Sequence, residues 1–186
     1  MGEKELLADA EERMAKAVAA TKTEFNTVRS GRASTALLDR IVVDYYGVKT
    51  PLRQIANVAA PEPRLLTVTP YDKNSLKSVE KAIRESDLGI NPSNDGHVIR
   101  LPIPHLTEER RRELVKLVHR LAEDGRVAVR NVRRDTRKDL TDLVDEHLVG
   151  EDAERRAEEE LQKTTDEHIR QIDELLKHKE AEILEV

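Results

Sequence analysis

With 186 residues the chain has room for one or two small domains and one substantial core. Its residues are 38% hydrophobic, 37% charged and only 2% aromatic, with a net charge of −5. It is therefore too apolar to be disordered throughout and too acidic for a uniformly basic nucleic-acid coat. Cysteine is absent, which excludes disulfides, thiolate metal sites and cysteine nucleophiles. No stretch reaches the roughly 18 apolar residues of a transmembrane helix. The start, Met1-Gly2-Glu3-Lys4-Glu5, lacks a signal peptide's apolar segment. The expectation is a soluble, cytoplasmic protein.

The first element is a helix over Lys4 to Val28. Leu7, Ala10, Met14, Ala17, Thr21, Phe25 and Val28 recur at spacings of three and four, which makes one apolar stripe. All seven prolines then fall between Pro51 and Pro104. Proline removes a helix donor and clashes with the preceding turn, so the middle of the chain has a different architecture. Ile41 to Tyr46 and Val48 to Thr50, joined at Gly47, read as a hairpin, because the run is β-branched and aromatic. Leu65 to Thr69 reads as a strand stopped by Pro70. Ser75 to Ser86 reads as a helix, with Asn74 as its cap, and His97 to Leu101 as a last strand.

Two helices follow. One starts after Thr107 and carries Leu114, Leu117/Val118, Leu121, Gly125, Ala128, Val132, Leu140, Leu143/Val144 and Leu148 on its stripe. Gly125 costs about 1 kcal/mol relative to Ala in a helix, so its place on the stripe points to close helix approach. The other runs from Asp152 to Leu184 through Ala157, Leu161, Thr165, Ile169, Ile172, Leu176 and Ile183. The short link Val149-Gly150-Glu151 makes the two antiparallel. The fold class is α+β. Segments 1–30 and 106–186 form an elongated antiparallel three-helix bundle, and 31–105 form a small inserted α/β domain, a β/α/β sandwich. Three stripes in one chain can satisfy one another, so a monomer is expected; an intermolecular coiled coil is the alternative. Ser30-Gly31-Arg32 and Pro104-His105-Leu106 cross between the domains as paired short linkers, which suits a hinge.

Chemistry-bearing motifs are scarce. There is no phosphate-binding glycine loop, and none of the six histidines has a recognised metal-ligand spacing. No catalytic residue, cofactor or metal is expected. Charge is more informative. Arg126, Arg130, Arg133 and Arg137 are spaced four, three and four, with Arg134 and Lys138 beside them. Between residues 126 and 138 there are six basic residues and one acidic one; between 150 and 186 there are six basic and thirteen acidic. Measured from Ala128 and Val132, the stripe points away from the core. Guanidinium forks match phosphate oxygens, so this face suits RNA; pairing with acids of the last helix is the competing account. No aromatic interleaves the stripe, which disfavours stacking on single-stranded bases.

The motifs Val28-Arg29-Ser30-Gly31-Arg32-Ala33-Ser34, Asp44-Tyr45-Tyr46-Gly47, Pro51-Leu52-Arg53-Gln54-Ile55, Val79-Glu80-Lys81-Ala82-Ile83, Ser86-Asp87-Leu88-Gly89 and Asn91-Pro92 stand in order along the chain. Leu106-Thr107-Glu108-Glu109-Arg110-Arg111 and Val127-Ala128-Val129-Arg130-Asn131-Val132-Arg133-Arg134-Asp135 follow them. Together they resemble the bacterial ribosome recycling factor family over essentially the full length. The resemblance implies an L-shaped, tRNA-sized molecule that is not itself an enzyme. It would act after peptide release, splitting the 70S ribosome together with elongation factor G and that factor's GTP hydrolysis. It also implies rRNA contacts at Arg29, Arg32, Arg130 and Arg133, with Arg134 adjacent. A helical adaptor for a protein partner and an unrecognised hydrolase are the readings from other classes.

Overall fold

The computed structural model describes residues 1–185. Residue 186, part of the expected segment 106–186, lies outside the described residues. The chain divides into two compact units, one of Met1–Arg29 with Glu109–Leu184 and one built on Ser30–Glu108.

The helical unit contains α1 (Glu3–Thr27), α4 (Glu108–Asp145) and α5 (Glu151–Glu185). Cross-helix contacts set its directions. Arg13 of α1 meets Asp135 of α4, while Thr21 lies against Gly125, so α1 and α4 are antiparallel. Arg126 meets Asp173 and Arg137 meets Glu158, so α4 and α5 are antiparallel too. Burial selects Leu114, Val118, Ala122, Gly125, Val129, Val132, Thr136 and Leu140 on α4. Leu121 and Ala128 are only half-buried. The true stripe keeps a tighter alternation of three and four, and this rotates the core away from the expected line. Likewise Leu6 replaces Leu7 on α1, and His168 replaces Ile169 on α5. The buried His168 ring donates Nδ1–H to the Thr164 carbonyl at 2.7 Å, which is how a polar ring sits inside an apolar seam.

Gly125 is a packing glycine. A Cβ built there would lie 2.3 Å from Thr21 Oγ1 and 3.2 Å from Ile172 Cδ1, so its hydrogen allows α4 to approach both neighbours. α4 ends earlier than the apolar pattern suggested. His147 takes a positive φ of 56°, and Leu148 N–H returns to the Leu143 carbonyl at 3.0 Å. That geometry closes the helix before Leu148, which is exposed.

The inserted unit has two antiparallel sheets. One pairs β1 (Val42–Tyr45) with β2 (Val48–Pro51). After the single turn α2 (Leu52–Ile55) comes the other sheet. It contains β3 (Ala56–Glu62), β4 (Leu65–Pro70), β5 (Ser93–Asn94) and β6 (Ile99–Pro102) in the order β3-β4-β6-β5. One helix, α3 (Leu76–Glu85), shares with both sheets a core that includes Val43, Leu66, Val68, Val79, Ile83 and Ile99. β3 and β5 escape sequence reading. β3 is an edge strand and so tolerates Pro61, and β5 is only two residues long. The helical segment is capped by Asp72, whose Oδ1 accepts from Asn74 N–H at 2.9 Å; Asn74 itself lies inside the first 3₁₀ turn.

Candidate nucleic-acid interface

The basic stripe belongs to α4, the longest helix. At about 100° per residue, Arg126, Arg130, Arg133 and Arg137 fall within roughly 60° of one another. The centre of the buried stripe lies only about 90° away. The arginines therefore flank the core on the α5 side and do not point away from it, which corrects the orientation expected from Ala128 and Val132. The shift follows from the rotated core.

This placement divides the stripe. Arg126 is mostly buried, with 20% of its side chain exposed. Its Nε donates to Asp173 Oδ1 at 2.8 Å and its Nη1 to Glu123 Oε2 at 3.0 Å. Burial pulls this guanidinium's pKa down, but the bonds to Asp173 and Glu123 outweigh it and leave the value raised. Arg137 Nε donates to Glu158 of α5 at 3.2 Å. Arg130 is half exposed and gives only Nη1 to Glu123, at 2.9 Å. Arg130 and then Arg126 hold the Glu123 carboxyl below its ordinary range. Asp173, Arg126, Glu123 and Arg130 thus form one chain of charge-assisted hydrogen bonds from α5 across α4.

Arg133 and Arg134 differ. No ion pair or hydrogen bond engages either among the described residues; Arg133 is half-buried and Arg134 exposed. The antiparallel register of Arg137–Glu158 and Thr141–Glu154 puts Gln162 opposite Arg133, with Asp166 the α5 carboxylate one turn further on. That carboxylate instead takes the Gln162 amide at 2.8 Å. The two guanidinia that α5 leaves unmatched therefore keep their donors for an external acceptor.

Arg29 lies just past the end of α1, exposed, in the helical unit; Arg32 is exposed in the inserted unit. Ser30 is buried, and Gly31 has φ +79°. A Cβ on Gly31 would meet Leu106 Cγ at 2.7 Å, so the two chain crossings touch. Pro104 and His105 are exposed. Among the described residues no group of His, Cys, Asp or Glu could hold a metal ion, and no helix is long and apolar enough to cross a membrane. Sequence reasoning missed Glu123, Asp173 and His168. The signal for Glu123 was its charge spacing of three and seven from Arg126 and Arg130, and for His168 the 161, 165, 168, 172 periodicity; Asp173, on another helix, left none. The Glu123 spacing was hidden by the density of similar acids on neighbouring turns.

This arrangement of long helices, inserted two-sheet unit and arginine-bearing α4 has counterparts of known class. A family model described as ribosome recycling factor matches residues 21–184. The chain is 61% identical over 180 residues to the ribosome-recycling factor of Rubrobacter xylanophilus, covering 97% of each. It is 52% identical over 182 residues to that of Streptomyces coelicolor, covering 98% of each. Among solved structures it is similar to a ribosome recycling factor determined in solution. The TM-score is 0.71 and the identity 44%, over 100% of this chain and 99% of that one. It is also similar, with a TM-score of 0.63 and 49% identity over 99% of this chain and 100% of the other, to a T. thermophilus ribosome recycling factor. That factor is placed with E. coli elongation factor G on the E. coli post-termination complex. The chain belongs to the ribosome recycling factor family.

Proposed function

We propose that this chain binds the 70S ribosome after termination and, with elongation factor G, splits it through an α4 arginine face seated on large-subunit rRNA. Arg130, Arg133 and Arg134 contact phosphates, while Arg126 and Arg137 hold α4 against α5. The observation that carries the reading is the contrast on one helix face: Arg126 and Arg137 are matched by α5 acids, whereas Arg133 is unmatched, as is Arg134 about 100° further round on the solvent side. The relative placed on the post-termination complex with elongation factor G supports the choice of partner. Arg29 and Arg32 join the set through the family motif around them.

In this reading the chain performs no bond chemistry of its own and acts as a monomer, because its three helical stripes are buried against one another. Ser30-Gly31-Arg32 and Pro104-His105-Leu106 serve as the hinge. Gly31 supplies the positive φ that the first crossing needs, and Leu106 packs against it. The test is co-sedimentation with purified large subunits across a salt series. Phosphate contacts release counterions, so binding should weaken steeply with salt. Arg133→Ala should reduce affinity; binding indifferent to salt and to Arg133 would contradict the reading and favour an apolar protein partner.

A further inference from the structure

Beside Arg133 the surface between α4 and α5 is indented by a cleft of about 260 Å³, floored by buried Leu161. Arg133 and Arg137 line it from α4; Arg155, Glu158, Glu159 and Gln162 line it from α5. Its charges do not cancel. Glu158 accepts from Arg137 Nε at 3.2 Å, which neutralises that pair. The Gln162 amide is occupied by Asp166. Among the described residues no ion pair or hydrogen bond engages Arg133 or Arg155, while Glu159 is the one lining carboxylate without an ion pair. Two uncommitted guanidinia, from different helices, therefore face one uncommitted carboxylate.

The geometry points to this cleft as a phosphodiester site in which Arg155 of α5 and Arg133 of α4 hold one stretch of RNA backbone between them. The inference rests on the reading of α4 as an rRNA-binding face and extends it. The face then follows the α4–α5 groove and draws a ligand from the acidic helix. Charge counting hides Arg155, because the six basic residues of segment 150–186 are outnumbered by thirteen acidic ones. Helix geometry separates it from its neighbour. Both are exposed, but Arg156 is rotated about 100° further round α5 and does not line the cleft.

The experiment is binding of the full chain to purified large ribosomal subunits, between about 50 and 200 mM salt, for four variants and the Arg133→Ala reference. Arg155→Ala should weaken binding about tenfold, as expected for one charge-assisted bond, and flatten the log–log salt slope by about one. Arg155→Lys should recover only part, since an ammonium cannot present the planar fork. Glu159→Gln should tighten binding by removing the like charge. Arg156→Ala should bind as the unmodified protein does. If Arg133→Ala weakens binding and Arg155→Ala does not, the cleft site is overturned and the α4 face stands. If neither weakens it, the RNA-binding reading fails with it. Equal losses in Arg155→Ala and Arg156→Ala would mean diffuse attraction and would also overturn the site. Thermal midpoints of the four variants should match that of the unmodified protein, as is usual for exposed positions, so binding losses report on contact.

Discussion

The outer and middle parts of the arginine stripe have the same residue type and nearly the same angular position, yet their surroundings differ. At Arg126 and Arg137, α5 presents Asp173 and Glu158. Between them, at Arg133, α5 presents Gln162, Leu161 and another arginine, Arg155. Periodicity puts all of these arginines on one face; only the partner helix sorts them. A guanidinium matched by a carboxylate of α5 is a strut, and one that α5 leaves unmatched keeps donors for phosphate.

The broadest way to break this comparison is to move α4 itself. Gly125→Ala would gain about 1 kcal/mol in helix propensity but would place a methyl 2.3 Å from Thr21 Oγ1. Overpacking of this kind costs about 1–3 kcal/mol, so chemical denaturation should show net destabilisation. The double variant Thr21→Ala with Gly125→Ala should recover much of it. A stabilised single variant would mean that Gly125 does not set the helix spacing that defines the ion-pair register.

Next is Arg126→Ala. This removes a mostly buried guanidinium from two acids, and hydrogen bonds to charged groups are worth about 1.5–3 kcal/mol. Partial exposure reduces this to about 1–2 kcal/mol. The loss should appear in stability, with a smaller loss in ribosome affinity than Arg133→Ala produces. The reverse order would dissolve the distinction between strut and donor.

Glu123 sharpens the comparison through a sign. Removing a carboxylate beside an RNA face should strengthen binding if only repulsion mattered. Glu123 instead holds Arg130 at 2.9 Å, and freeing a long side chain costs about 0.5–1.5 kcal/mol on binding. Glu123→Ala should therefore weaken binding, roughly twofold to tenfold, and tighter binding would contradict the positioning role. The pH dependence follows from the same contacts. Arg130 and Arg126 depress the folded-state pKa of Glu123, so its stabilisation is present above the ordinary carboxyl range and is lost as pH falls through the depressed value. The stability difference between the unmodified protein and Glu123→Gln should stay constant from about pH 7 to pH 5 and shrink below about pH 4.

The helical framework was legible in the sequence for a physical reason. Helix periodicity and proline exclusion are local signals, so α1, α4, α5 and the inserted segment could be read directly. So could the packing role of Gly125, because a residue that weakens a helix yet sits on its apolar stripe is best placed where a neighbouring helix comes close. The direction of the stripe was not legible. On α4 both Leu121 and Ala122, and both Ala128 and Val129, are apolar, and only contact with α1 and α5 decides which of each pair is buried. Choosing Ala128 turned the arginines toward solvent; Val129 turns them toward α5. β3 was hidden by Pro61, which an edge strand can accept. Arg155 was hidden because a cleft between two helices leaves no spacing in either one.

The most direct measurement is the salt dependence of binding to purified large ribosomal subunits for Arg133→Ala beside Arg126→Ala, with thermal unfolding of both. The account predicts that Arg133→Ala loses about tenfold to a hundredfold in affinity, flattens the salt slope by about one, and melts with the unmodified protein. It predicts that Arg126→Ala melts earlier and keeps most of its salt slope. Equal slopes and equal affinities in the two variants would contradict the claim that α5 divides the stripe into struts and phosphate donors.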